Sequence, residues 1–356
     1  MDLSLSDSQV LIRDSVRTFV QRHVPRAELV RQAGAGEAWD PAWQTMFAEA
    51  GWTGALVPAS CGGLELDPLS AALIFEELGR GAVPSPLLAS SAISVGLLLG
   101  CAEGEQRDAA LTAIADGTMI LIPALRQPAS TWKGVAATGS PLVDGVLTGI
   151  KVFVPFAEAA THFLVTVTGG LAIVPASAAT VRPLGGFIQA AYEASFDGVA
   201  VGAVLRAEGA TFDDALSAAR IMAAAYQVGA MNEMLDMSVS HSNTRVQFGT
   251  PIGRFQRVQD HIIRLLNAMD AAKWAVYEAA WALENGRSGV GRSYLACATA
   301  GDSAIEAANA AHEVHAAIGS DPRYGLTLYT RISRSMYELL GAPGWQRRQM
   351  ADALGW

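Results

Sequence analysis

One short stretch of this chain gathers the side chains best suited to hold a large polar ligand. Between residues 245 and 259 it carries a guanidinium (Arg245), an aromatic ring (Phe248) and three primary amides (Gln247, Gln256 and Gln259). Gly249, Pro251 and Gly253 interrupt the helical pattern there, so the stretch reads as a helix–turn–helix junction. Other chemistry-bearing groups are less pointed. His312 and His315 flank Glu313, but histidines three apart lack the spacing of an H-E-x-x-H zinc helix, and no metal site is expected. Gly249 and Gly253 are not followed by G-K-[ST], so they form no P-loop, and Gly289 with Gly291 opens no dinucleotide fold. Cys61 beside two glycines reads as a loop thiol, and the methionines between 222 and 237 read as helix core.

The elements that must position the 245–259 stretch follow from the hydrophobic pattern. Ser6 with Gln9 three positions on forms a capping box that opens a first helix. Helical stretches follow at 43–50, ended by Gly51, and from Leu69 to Gly79, with a loop at 57–63 between them; two more lie within 85–117. The period then changes. Short segments rich in Val, Ile, Leu and Thr at 119–125, 143–147, 150–154 and 163–168 read as strands. A tight hairpin is expected at Gly169 and Gly170, and strands at 181–184, 192–196 and 199–204 complete a small β domain. Long helices are expected at 211–244, 255–285, 290–318 and 325–340, with a short tail after Pro343. The fold class is therefore mainly α with a β domain: a helical domain over 1–116, a β-barrel or sheet domain over 117–207 and a four-helix bundle over 208–356.

Composition narrows the partners. The chain has 356 residues, of which 51% are hydrophobic and 17% charged, a balance that implies wide helix–helix contacts and surface buried between subunits. A net charge of −9 without blocks of like charge argues against nucleic acid. Three cysteines make neither a disulfide framework nor a C-x-x-C pair, which suits a reducing cytosol. The first residues show no signal peptide, and the greasiest run, 87–99, falls short of the ~18 apolar residues a span needs. A cytoplasmic protein is expected.

The 245–259 stretch resembles the R-x-Q-F-G-x-P-I-x-x-F-Q signature of acyl-CoA dehydrogenases. Further likenesses run along nearly the whole chain. Pro58, Gly62 and Gly63 resemble P-x-x-x-G-G, and Glu76 to Arg80 reads E-E-L-G-R; Lys151 and Phe153 resemble K-x-W/F-I-T. Residues 313–319 resemble Q-x-x-G-G-x-G. The resemblance implies α,β-dehydrogenation of an acyl-CoA thioester with FAD. It also implies that Arg245, Gln247, Phe248, Ile252, Phe255, Gln256, Glu313 and Ala317 lie at the adenosine and pyrophosphate end of FAD, reaching across a dimer interface.

Departures from the family pattern matter as much. The family draws its catalytic carboxylate from one of two places, and these fall on Leu340 and Ala219, neither of which accepts a proton. Glu338 lies two residues from Leu340, a shift that turns a helical side chain by about 200°. The T-E-P-x-x-G-S-D flavin segment is replaced by residues 125–131, and the flavin-binding threonine by Pro155, which has no N–H or hydroxyl to offer. Glu313 replaces the pyrophosphate-side glutamine; a carboxylate about 4 Å from a phosphate would cost on the order of 4 kcal/mol at an effective dielectric near 20. Ala316 and Ala317 replace the paired glycines.

The resemblance is thus to the subunit type, found in heterotetrameric bacterial members, that has no catalytic residue of its own and completes the FAD site of a catalytic partner in an α2β2 assembly. Such assemblies handle bulky acyl groups, including steroid CoA esters. Two other readings stay open here: a self-sufficient homotetramer with Glu338 as base, and a flavin-free scaffold subunit.

Overall fold

A computed structural model describes residues 4–37, 39–128, 132, 134–135, 139–185, 190–208, 211–287, 289–337 and 339–356. In chain order, helices α1 (Asp7–His23), α2 (Arg26–Ala35), α3 (Ala42–Glu49), α4 (Pro68–Arg80), α5 (Val95–Leu99) and α6 (Glu105–Ala115) come first. Strands β1 (Leu121–Ala124), β2 (Leu142–Val143), β3 (Val146–Pro155), β4 (His162–Val167), β5 (Gly170–Pro175), β6 (Ala179–Pro183) and β7 (Ala191–Ala200) follow. Next come α7 (Phe212–Ala215), α8 (Ser217–Thr244), the short strands β8 (Val246–Gln247) and β9 (Thr250–Pro251), then α9 (Gln256–Glu284), α10 (Gly289–His315), α11 (Leu326–Met336) and α12 (Pro343–Leu354). No described helix is long and apolar enough to cross a membrane. The chain divides by contacts into two compact units, one of residues 1–37, 68–83 and 220–356, the other of residues 38–67 and 84–219.

The first unit is helical. The expected capping box opens α1: the Ser6 hydroxyl accepts from the Gln9 N–H, and the Gln9 side chain accepts from the Ser6 N–H. Helix α4 is buried from Leu69 to Gly79. Its Glu77 takes a forked ion pair from Arg17 of α1, at 2.6 and 3.1 Å. Met222, Met231 and Met234 of α8 are fully buried, as core methionines should be. Alanines at 296, 298, 300, 304, 307, 308, 310 and 311 give α10 a small-residue surface, all of it buried. The tail after Pro343 is a three-turn helix, α12, and its Trp345 ring meets Tyr294 of α10 edge-on at 5.7 Å. Pro343 opens it at the first helical position, where a missing N–H costs nothing.

The second unit holds two sheets, of order β1-β4-β5 and β2-β3-β7-β6. β1 runs parallel to β4, and the remaining pairs are antiparallel. Phe163 and Phe196 meet edge-on at 5.9 Å in a core with Ile122, Leu147, Val165 and Val174. Three expectations need adjustment. The 143–147 strand is split by a tight turn at Asp144 and Gly145, both at positive φ, which makes β2 and β3 a hairpin. The β4–β5 turn uses Thr168 and Gly169, one residue earlier than expected, so that Gly170 already pairs with Val167. The strands expected at 192–196 and 199–204 are one element, β7, ending at Ala200.

Candidate functional site

Helix α8 ends at Thr244, whose hydroxyl donates back to the Ser240 carbonyl at 2.9 Å. The expected helix–turn–helix junction proves to be a miniature β-hairpin. β8 pairs with β9 in the register Val246 with Pro251 and Gln247 with Thr250, and the Ile252 N–H donates to the Arg245 carbonyl at 2.9 Å. At the tip, Phe248 and Gly249 have φ of +52° and +78°. Positive φ at both central residues is the I′ arrangement, which matches the strand twist. Placing a phenylalanine there costs about 1–2 kcal/mol of backbone strain. Beyond the hairpin, a single 3-10 turn (Ile252–Arg254) leads into α9, and Gln259 of α9 clasps it by donating to the Gly253 carbonyl at 2.8 Å. Gly253 packs so closely on Ser242 that a Cβ there would lie 3.1 Å from the Ser242 carbonyl oxygen.

This frame presents side chains outward. Phe248 is 92% exposed, and its ring meets that of Phe255 edge-on at 6.2 Å. Arg245, Gln247 and Gln256 are exposed, and Ile252 is half-buried. None of Arg245, Gln247 and Gln256 makes a side-chain hydrogen bond or ion pair among the described residues, so their donors face solvent.

The second cluster lies at the C-terminal end of α10. Glu313 and Ala317 are exposed, and Ala316 takes φ of +52° where the family pattern has glycine. His312 bonds Thr330 at 2.8 Å, and His315 bonds the Ala311 carbonyl at 2.8 Å. The His315 ring also stacks on His241 of α8 at 4.6 Å, which fastens the end of α10 to the root of the hairpin. The two groups of sequence-predicted residues therefore share one end of the bundle. His241 was missed by sequence reasoning; its place one turn before Arg245 was a local signal, whereas its partner on α10 was not.

The two positions at which the resemblance places a base are apolar and enclosed: Ala219 is fully buried and Leu340 is 2% exposed. Glu338 lies outside the described residues. In the β unit, the two segments that the resemblance assigns to the flavin ring lie against each other. The Val152 N–H donates to the Arg126 carbonyl at 2.9 Å, and the Arg126 guanidinium stands 4.8 Å from the centroid of Phe153. Pro155 pairs with Ala191 at the end of β3. Residues 129–131 of that segment are outside the described set. Close by, Lys151 is fully buried with its Nζ 2.6 Å from the Thr166 hydroxyl, and burial pushes its amine down to about 7.

Comparison with known proteins decides the family. The acyl-CoA dehydrogenase N-terminal domain matches residues 6–118, and the acyl-CoA dehydrogenase C-terminal domain matches residues 210–355. The chain belongs to the acyl-CoA dehydrogenase family. A probable acyl-CoA dehydrogenase of Bacillus subtilis is 28% identical, with 94% of this chain and 95% of that protein covered. The butyryl-CoA dehydrogenase of Megasphaera elsdenii superposes over all of both chains with a TM-score of 0.90 at 23% identity. A chain of the ChsE4-ChsE5 complex of Mycobacterium tuberculosis superposes with a TM-score of 0.86 at 21% identity, over 100% of this chain and 99% of that one. Acyl-CoA dehydrogenases are oxidoreductases acting on CH–CH bonds, and this chain carries the family's N-terminal and C-terminal domains in that order.

Proposed function

We propose that this chain is a subunit of an FAD-dependent acyl-CoA dehydrogenase that has no base of its own and completes the FAD site of a catalytic partner subunit. In this reading, 1–116, 117–207 and 208–356 act as its helical, β and bundle domains, and the assembly is a heterotetramer. The carrying observation is the hairpin: a rigid frame displays Arg245, Gln247, Phe248 and Gln256 with their polar groups uncommitted.

The residues present suit the nucleotide half of FAD. Arg245 would pair the pyrophosphate through its forked donors. The Phe248 ring, backed by Phe255 and Ile252, would cover the adenosine, and Gln247 and Gln256 would bond its polar edges. Glu313 is exposed, so it can turn to solvent and leave the phosphates unopposed, with Ala317 alongside. Bound FAD supplies the acceptor for the hydride leaving the acyl β-carbon. A carboxylate must take the α-proton, and Ala219 and Leu340 offer none, so that duty falls to the partner.

The test is the visible spectrum of the full-length chain purified alone. It is expected to lack flavin that an acyl-CoA can reduce. A yellow protein bleached by acyl-CoA with no second subunit present would overturn the reading. Within an assembly, Arg245→Ala should cause marked FAD loss, since removing a charged hydrogen-bond partner costs on the order of 2–3 kcal/mol.

A further inference from the structure

The helices α8 and α10 finish side by side, and their last turns carry three imidazoles: His241 on α8, His312 and His315 on α10. His241 lies nearly parallel on His315, at 24° and 4.6 Å. Tyr324 closes the stack, edge-on to His241 at 6.3 Å and tilted to His315 at 5.2 Å. The stack fixes the half-buried His241 ring although its nitrogens make no hydrogen bond among the described residues. Just past the end of α8, the Arg245 N–H donates to the His241 carbonyl at 2.9 Å, and the guanidinium is near enough to oppose a charge on the His241 ring.

We propose that His241 is a second, proton-switchable cation of the anion site whose permanent cation is Arg245, and that it takes up a proton when a pyrophosphate group is seated there. This rests on the reading of the hairpin as a nucleotide grip. The surroundings set the direction. Burial, then His315, then Arg245 hold His241 below the ordinary histidine range, so the ring is neutral near pH 7. The C-terminal end of α8 favours a cation on that ring. A dianion beside Arg245 would cancel the guanidinium's opposition and add its own attraction. The other groups facing the stack are already held by hydrogen bonds, neutral or paired. His315 is buried and lowered, its Nδ1 held on the Ala311 carbonyl; His312 is lowered and held on Thr330. Burial raises Tyr324, which keeps it neutral. Arg323 and Asp321 pair with each other, and exposed Glu313 can only assist protonation.

The test uses the assembly of this chain with its catalytic partner subunit, freed of FAD, and ADP-ribose, whose diester pyrophosphate keeps its charge across the window. Titration calorimetry between about pH 5.5 and pH 8, in buffers of different ionisation enthalpy, reads affinity and proton uptake together. Affinity is expected to rise about five- to tenfold toward the acid end, with uptake of a fraction of a proton near neutrality. His241→Phe keeps a ring in the stack and should flatten the profile; His241→Asn is the second variant should the first not fold. Arg245→Ala should abolish binding at every pH. Arg245-dependent binding that is flat in pH, or a slope surviving in both His241 variants, overturns the inference and leaves the nucleotide grip standing. Absence of any Arg245-dependent binding overturns both.

Discussion

A Cβ placed on Gly229 would lie 1.7 Å from the carbonyl oxygen of Glu76, and one on Gly79 would lie 1.9 Å from that of Tyr226. Helices α4 and α8 thus touch backbone to backbone through a reciprocal pair of glycines. The contact brings the Glu76 carboxyl inside, where it accepts from Tyr277 at 3.0 Å and Asn232 at 3.4 Å, and burial raises its pKa. Gly229→Ala is expected to destabilise the protein by about 3 kcal/mol or more, because neither backbone can yield. The sign is diagnostic. Helix propensity alone would make the alanine more stable by about 1 kcal/mol, so a gain in chemical denaturation would sink the close-contact account.

Lys151 predicts a pH dependence. Its folded pKa of about 7 lies below the ordinary lysine value of 10.5, so above neutrality the unfolded chain binds the proton that the folded chain has released. Stability from this group therefore rises as the pH climbs from about 7 toward 10, and the cost of burying the charge is fully present below that window. Glu76 and the tyrosines titrate too, so the informative quantity is the difference from Lys151→Met. The variant should be more stable than the parent near pH 7, by about 1–3 kcal/mol, with the gap narrowing toward pH 9. A constant gap in urea unfolding at both pH values would contradict a lysine neutralised by burial.

What the sequence made legible, and what it hid, divides along local and non-local lines. The Ser6 capping box, the helix ends at Gly51 and Thr244 and the buried methionines of α8 are short-range signals, and they hold in three dimensions. The Asp144–Gly145 hairpin was equally short-range, a D-G pair between apolar runs, yet it lay hidden inside what reads as one strand. Helix α2 shows little apolar periodicity; Arg26 instead fastens it to Glu233 and lies over the Tyr329 ring at 5.9 Å. Those contacts span most of the chain, so no local pattern announces them. The hairpin residues were legible as a motif. The His241–His315 stack depends on how α8 and α10 pack, and spacing cannot encode that.

Ala316 offers a prediction about strain. It follows the last turn of α10 at φ of +52°, a conformation that suits glycine. Its side chain is exposed, so replacement removes no packing. Ala316→Gly should relieve steric cost of about 1 kcal/mol, partly offset by the greater freedom of glycine in the unfolded chain. Thermal unfolding should show a small rise in Tm. A fall of several degrees would mean that the alanine methyl holds something in place.

Phe248 separates the turn from the ring it displays. Asparagine enters the left-handed region more readily than phenylalanine, so Phe248→Asn should leave the hairpin intact, and the 92% exposure of the ring means that little packing is lost. Stability of the chain is expected to hold or to rise by about 1 kcal/mol, as part of the left-handed strain is relieved. The FAD affinity of an assembly containing the variant should nevertheless fall by about tenfold to a hundredfold, the effect of removing one large apolar contact from a ligand. Flavin fluorescence on dilution reads the loss directly, because freed FAD emits more strongly than bound. Unchanged FAD retention with no loss of stability would show that the ring meets something other than the nucleotide.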